Sequence, residues 1–192
     1  MDLSQLANQT NLIIALSKAN FPYLMWFIAL LWGFNLINWW VFNSFFNVFG
    51  IYPRSLRGLP GIFFSPFLHA DFNHLFFNTI PLLALANFVL MQGLPTFIHV
   101  TFYIVVISGA LVWLIGRRGI HIGASSLIMG YWSYLLAFAY FHQTSFTLII
   151  AIITIYYFGG LILGLFPTQE KVSWEGHLTG FLGGLVAAYL SF

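Results

Sequence analysis

Between residues 119 and 169 the chain reads GIHIGASSLIMGYWSYLLAFAYFHQTSFTLIIAIITIYYFGGLILGLFPTQ, 51 residues without a single Asp, Glu, Lys or Arg. A membrane-spanning helix needs about 20 predominantly apolar residues, so this run is long enough for two spans. The polar break at 142–145 is short enough to be the hairpin between them. Three more charge-free runs flank it: 19–53 with 35 residues, 72–116 with 45, and 176–192 with 17. By the same reckoning they hold one, two and one spans. The count is six.

Composition agrees. Hydrophobic residues make up 60% of the 192 and charged residues 5%, against about 45–50% and about 25% in soluble domains. A soluble domain of this length could not cover its surface with so few ionic groups. The sequence pI near 9.0 rests on a net charge of only +2, and no Lys/Arg cluster exists to bind nucleic acid. Zero cysteines remove disulfides, thiolate metal sites and a cysteine nucleophile together. The first twenty residues carry Asp2 and a late Lys18 rather than a basic n-region, so no cleaved signal peptide is expected. The expectation is one all-α transmembrane domain over 1–192, with 1–21 as a short N-terminal segment.

The spans are expected at 22–42, with Pro22 in the first turn, then 74–92, 96–115, 124–141, 146–165, and from 175 to the end. Pro81 should kink the second. The long connection at 43–73 holds Arg54, Arg57, three prolines and many phenylalanines, which suggests a structured loop lying partly in the membrane interface. Because helices alternate in direction, loops 1, 3 and 5 share one side, and the second, fourth and sixth spans all start there. Those three starts carry the unusual polar residues: His69, Asp71, Asn73, His74 and Asn78; His121, Ser125 and Ser126; Glu175, His177 and Thr179. Polar groups in a span are costly and mark function by default, and three sets on one side point to one site.

The chemistry follows from residue type. Ser125, after Gly123, opens the fourth span among unpaired backbone N–H groups at a positive dipole end, an environment that stabilises an oxyanion. His177 opens the sixth span and is followed by Gly180 and Gly184, a Gly-x-x-x-Gly face that permits close helix approach. Ser126 and Gly130 are the matching small pair on the parallel fourth span. Packed at equal depth, these faces would set Ser125 beside His177, and a hydroxyl needs an adjacent base to become a nucleophile. His74 and Asn78, four residues apart on one helix face, can both donate to a developing negative charge. Taken singly, each of these residues also fits a packing role or interhelical hydrogen bonding.

Together the residues resemble the rhomboid intramembrane proteases. The resemblance rests on His69 and His74-x-x-x-Asn78, on Gly123-x-Ser125, and on His177-x-x-Gly180-x-x-x-Gly184, and it covers nearly the whole chain. It implies a six-helix rhomboid-like bundle and a Ser125–His177 dyad without a third acid. It also implies an oxyanion hole from the Ser125 N–H, His74 and Asn78 beside Gly123. Substrates would be single-span or polytopic membrane proteins entering from the lipid bilayer, with no metal, cofactor or nucleic acid, and the expected location is a bacterial inner membrane. The pattern departs in three places, the first two in the fourth span: Ser126 stands where glycine is usual, and Met129 where an aromatic ring often stacks on the base. Loop 1 also has Pro60-Gly61 where some members carry Trp-Arg. Five of the six basic residues (Arg54, Arg57, Arg117, Arg118, Lys171) lie in loops 1, 3 and 5, which by the positive-inside rule places the polar side in the cytoplasm. The resemblance implies the outside instead, and that is the orientation expected.

Other readings are a small transporter, a metal-dependent membrane protein and a silent relative that only binds membrane segments. The polar residues sit at one end of the spans rather than running through them, against the first. No His-Glu-x-x-His pair is present, against the second, and both Ser125 and His177 are retained, against the third.

Overall fold

The computed structural model describes residues 3–166 and 173–191. The described chain is a bundle of helices: α1 (Leu3–Trp40), α2 (Gly61–Phe64), α3 (Phe72–Leu90), α4 (Leu94–Ile115), α5 (Ser125–His142), α6 (Ser145–Phe158) and α7 (Trp174–Leu190). Short 3-10 turns at Phe45–Phe49, Leu56–Gly58 and Ser65–Phe67 join α2 in loop 1, and Gly159–Leu165 continues α6. The polar break expected at 167–174, with Lys171, lies largely outside the described residues.

Four helices are long and apolar enough on their own account to cross a membrane: α1, α3, α4, and the continuous segment Ser145–Leu165. The other two long helices, α5 with 18 residues and α7 with 17, pack closely on each other, and α7 keeps one exposed apolar side with Leu182, Val186 and Tyr189. Most of α5 is buried, including Tyr131, Trp132, Ser133 and Tyr134. Surrounded by protein rather than lipid, it can carry hydroxyls that find partners: Tyr131 Oη lies 2.6 Å from Thr101 Oγ1, and Tyr134 donates to Gln92 Oε1 at 2.7 Å. The outer helices present the apolar surface instead, with Leu30, Phe77, Ile152 and Tyr156 all exposed. The chain is thus an integral membrane protein.

Two boundaries differ from the sequence reading. The first helix begins at Leu3 rather than at Pro22, which lies inside it. Its early turns are held from the side: Asn87 donates to Ser17 Oγ at 2.9 Å and accepts from Asn20 at 3.2 Å, while Ile13 and Leu16 pack on the core. Tertiary contacts carry the helix through the proline despite its missing N–H. At 38 residues and 1.5 Å per residue, α1 is about 57 Å long, well beyond the roughly 30 Å of hydrocarbon. The fifth span changes to 3-10 winding at Gly159-Gly160, where two glycines in sequence weaken the α-helix.

Loop 1 is structured. Arg54 N–H donates to Trp113 O, its guanidinium donates to Leu114 O, and Trp113 Nε1 donates to Ser55 O. Ile51 and His121 exchange backbone hydrogen bonds of 3.0 and 2.8 Å, tying loop 1 to loop 3. From α1, Asn35 accepts from His69 N–H and donates to Phe67 O, both at 2.9 Å, and Trp39 Nε1 donates to His69 O. These bonds fix the last turn of loop 1 just before α3.

Candidate active site

The starts of α3, α5 and α7 meet around a cavity of about 850 Å³ whose lining includes His74, Asn78, Ser125 and His177 together with Asp71, Asn73, Arg117, His121 and Ser173. Each wall is held differently.

The α3 wall is built by capping and by one buried imidazole. Asp71, the N-cap of α3, accepts from His74 N–H at 2.9 Å, an N-terminal cap of the usual carboxylate type. Ala70 N–H reaches His74 Nδ1 at 3.5 Å, which leaves Nε2 as the protonated, donating nitrogen. His69 is fully buried, and its Nε2 faces Asn78 Nδ2 at 3.2 Å and Ala124 N–H at 3.4 Å. A backbone N–H only donates, so Nε2 accepts and the proton sits on Nδ1. The Asn78 amide nitrogen therefore points at His69 with one hydrogen and keeps the other for the cavity. Burial, with His74 alongside, lowers the His69 pKa to about 3, so this ring stays neutral and keeps accepting at ordinary pH.

The α5 wall starts with Gly123, whose N–H donates to Ser65 O at 2.9 Å. Its φ of +115° is a conformation that residues with a side chain rarely adopt. A Cβ here would lie 2.5 Å from His74 Nε2 and 3.5 Å from Asn78 Nδ2. Both donors thus converge on the bare Cα two residues before Ser125.

The α7 wall is strapped to loop 3. Glu175 is buried and forms an ion pair with Arg117, whose backbone N–H also points to it. His121 Nε2 lies 2.8 Å from Arg117 O and Nδ1 lies 2.7 Å from Ser173 Oγ, and Ser173 caps α7 by accepting from Gly176 N–H. Below the strap α5 and α7 touch backbone to backbone. A Cβ on Gly180 would fall on Ser126 O, and one on Gly184 on Gly130 O and Ser133 Oγ. Ser133 Oγ donates to Phe181 O at 2.7 Å across the same seam.

The nine site residues expected from sequence thus fall into one region: Ser125, His177, His74 and Asn78 on the cavity, Gly123 against His74 and Asn78, and Ser126, Gly130, Gly180 and Gly184 on the seam between α5 and α7. Among the described residues no hydrogen bond joins Ser125 to His177. His177 Nδ1 instead lies 3.0 Å from Gly164 O. Met129, where the stacking ring of the family pattern was sought, is buried in the core. Three features were not read from sequence: the Gly164 contact, the Arg117–Glu175 pair and the His121–Ser173 link. Their partners lie 13, 58 and 52 residues apart. Only the charges of Arg117 and Glu175, rare in such a chain, gave a signal. Among the described residues no group of three or more His, Asp or Glu side chains is gathered as a metal site would be.

The family model for the Rhomboid domain matches residues 57–192. An uncharacterized protein of Mycobacterium tuberculosis and one of Mycobacterium bovis are each 40% identical over 173 residues, covering 85% of this chain and 72% of theirs. One of Mycobacterium leprae is 40% identical over 173 residues, covering 85% of this chain and 68% of its own. With a family match over most of its length and the three helix starts gathered on one cavity, the chain belongs to the rhomboid family.

Proposed function

We propose that the protein is an intramembrane serine endopeptidase that hydrolyses peptide bonds in or near the transmembrane segments of other membrane proteins, in a bacterial inner membrane. One observation supports this most: two side-chain donors, His74 Nε2 and Asn78 Nδ2, converge on the φ-positive Gly123 beside a serine at a helix start, in a cavity that a histidine also lines. That is what acyl transfer requires, a nucleophile, a base and donors where the oxyanion forms.

In this reading Ser125 Oγ attacks the scissile carbonyl and His177 Nε2 takes its proton. The carbonyl oxygen, now an anion, accepts from Ser125 N–H, His74 Nε2 and Asn78 Nδ2. His177 then returns the proton to the leaving amine, and a water molecule repeats the sequence on the acyl-enzyme. The free-enzyme hydroxyl and imidazole need only close on each other in the substrate complex, since catalytic hydrogen bonds are often long before substrate binds. A soluble protease substrate would have to reach a cavity walled by helix starts; a membrane segment needs only to unwind beside them.

The test is cleavage of a single-span reporter in liposomes together with labelling by a fluorophosphonate probe. Ser125→Ala and His177→Ala should each abolish cleavage, and the probe should modify Ser125 alone. Full activity of Ser125→Ala, or labelling at Ser126, would remove the mechanism.

A further inference from the structure

We infer that the main-chain carbonyl of Gly164 positions the proposed base: it holds the His177 imidazole in the tautomer and orientation that a general base needs. The inference rests on the roles of Ser125 and His177 given above. A carbonyl oxygen only accepts, so the 3.0 Å contact with Nδ1 places the ring proton there and leaves the Nε2 lone pair free. This is the form that can receive the Ser125 proton. In serine hydrolases of the triad type a buried carboxylate does this work.

Here a carboxylate is not at hand among the described residues. Asp71, the acidic residue lining the cavity, caps α3. Glu175, two residues before His177, is engaged by Arg117. Met129 lies in the core. Gly164 O is what remains to orient the ring.

The local backbone explains how this carbonyl comes to face His177 rather than a described main-chain N–H. Gly164 sits in the 3-10 segment Gly159–Leu165 that ends the fifth span, and the last carbonyls of a helix lack partners within it. Phe166 N–H returns to Leu163 O, one residue short of Gly164. The absent side chain matters equally: a Cβ on Gly164 would lie 2.6 Å from His177 Nδ1 and 3.2 Å from Cε1. Any other residue would push the ring off its acceptor. Gly164 is therefore a positioning residue, acting through its carbonyl and through having no side chain.

The experiment has two readouts. In detergent-solubilised protein labelled with ¹⁵N-histidine, the neutral His177 ring should show its proton on Nδ1, and in Gly164→Ala the population should move toward Nε2–H. An Nε2–H ring in the unmodified protein would overturn the inference whether or not the protein cleaves anything; failure of the hydrolase reading would show separately, as absent labelling of Ser125. The second readout is kinetic. Gly164→Ala should lower kcat about 10²-fold with KM within twofold. Replacing Leu165 by its α-hydroxy acid turns the Gly164 carbonyl into an ester, a weaker acceptor of unchanged shape, and should lower kcat about three- to tenfold. This second variant carries the test if Gly164→Ala does not fold. An unchanged kcat in the ester variant, or a raised KM in place of the lowered kcat, would overturn the assignment.

Discussion

Gly184→Ala should inactivate the protein while Gly183→Ala should not, although the two glycines are neighbours on α7. A Cβ on Gly184 would lie well under 3.0 Å from both Gly130 O and Ser133 Oγ, a separation that real Cβ atoms essentially never show, whereas on Gly183 its nearest neighbour would be Ile104 O at 3.4 Å. The first substitution therefore drives α5 and α7 apart by about 1 Å, and the second makes ordinary van der Waals contact. Overpacking a tight seam costs about 1–3 kcal/mol of stability, which a folded bundle can survive. Catalysis is less forgiving, because a displacement of about 1 Å between reacting groups can lower the rate about 10²-fold, and Ser125 and His177 ride on the two separated helices. The assay is initial cleavage rate of a single-span reporter in liposomes, normalised to the folded fraction from gel filtration and thermal melting. Gly184→Ala should retain about 1% of the rate and Gly183→Ala more than half. Equal losses in both variants, or a Gly184→Ala rate within threefold of the unmodified protein, would refute the claim that this seam sets the distance between serine and histidine.

Asn78→Ala should leave a residual cleavage rate lower by about 10²–10³-fold, the usual effect of removing one oxyanion donor, with KM little altered; steady-state kinetics on the reporter check this. His69 predicts a pH dependence of stability. Its folded pKa of about 3 lies below the ordinary 6.5, so above pH 6.5 the ring is neutral in folded and unfolded chains alike. Between pH 6.5 and 3 the unfolded chain binds a proton that the folded one refuses, and stability falls by about 1.4 kcal/mol per pH unit. The loss at pH 5 is thus about 2 kcal/mol relative to pH 7.5. Thermal melts in detergent should show this fall, and His69→Gln should lack that share of it. Identical pH slopes for the two proteins would contradict the buried neutral imidazole.

Much of this was legible without coordinates because lipid and chain geometry impose simple rules. Charge-free runs of 35 to 51 residues reveal spans, and alternation of direction puts His74, Ser125 and His177 at one side whatever the packing. The start of α1 was not legible. Pro22 and the polar residues before it look like a helix start locally, and tertiary contacts, among them those of Asn87 with Ser17 and Asn20 and the packing of Ile13 and Leu16 on the core, carry the helix through them. The span at 124–141 was legible from its charge-free run and is found at Ser125–His142; that its tyrosines, serines and tryptophan are surrounded by protein rather than lipid was not.

The order of polar side chains along the sequence, with their fixed places at three helix starts, determined by itself that the chain is a membrane bundle with one polar end. Which atom points where was decided by tertiary structure alone. The tautomer of His69, the direction of the Asn78 amide and the carbonyl that meets His177 all depend on single hydrogen bonds between segments 9 to 55 residues apart. Such bonds have no periodicity and draw on backbone groups that every residue possesses, so residue identity carries no trace of them until the chain is folded.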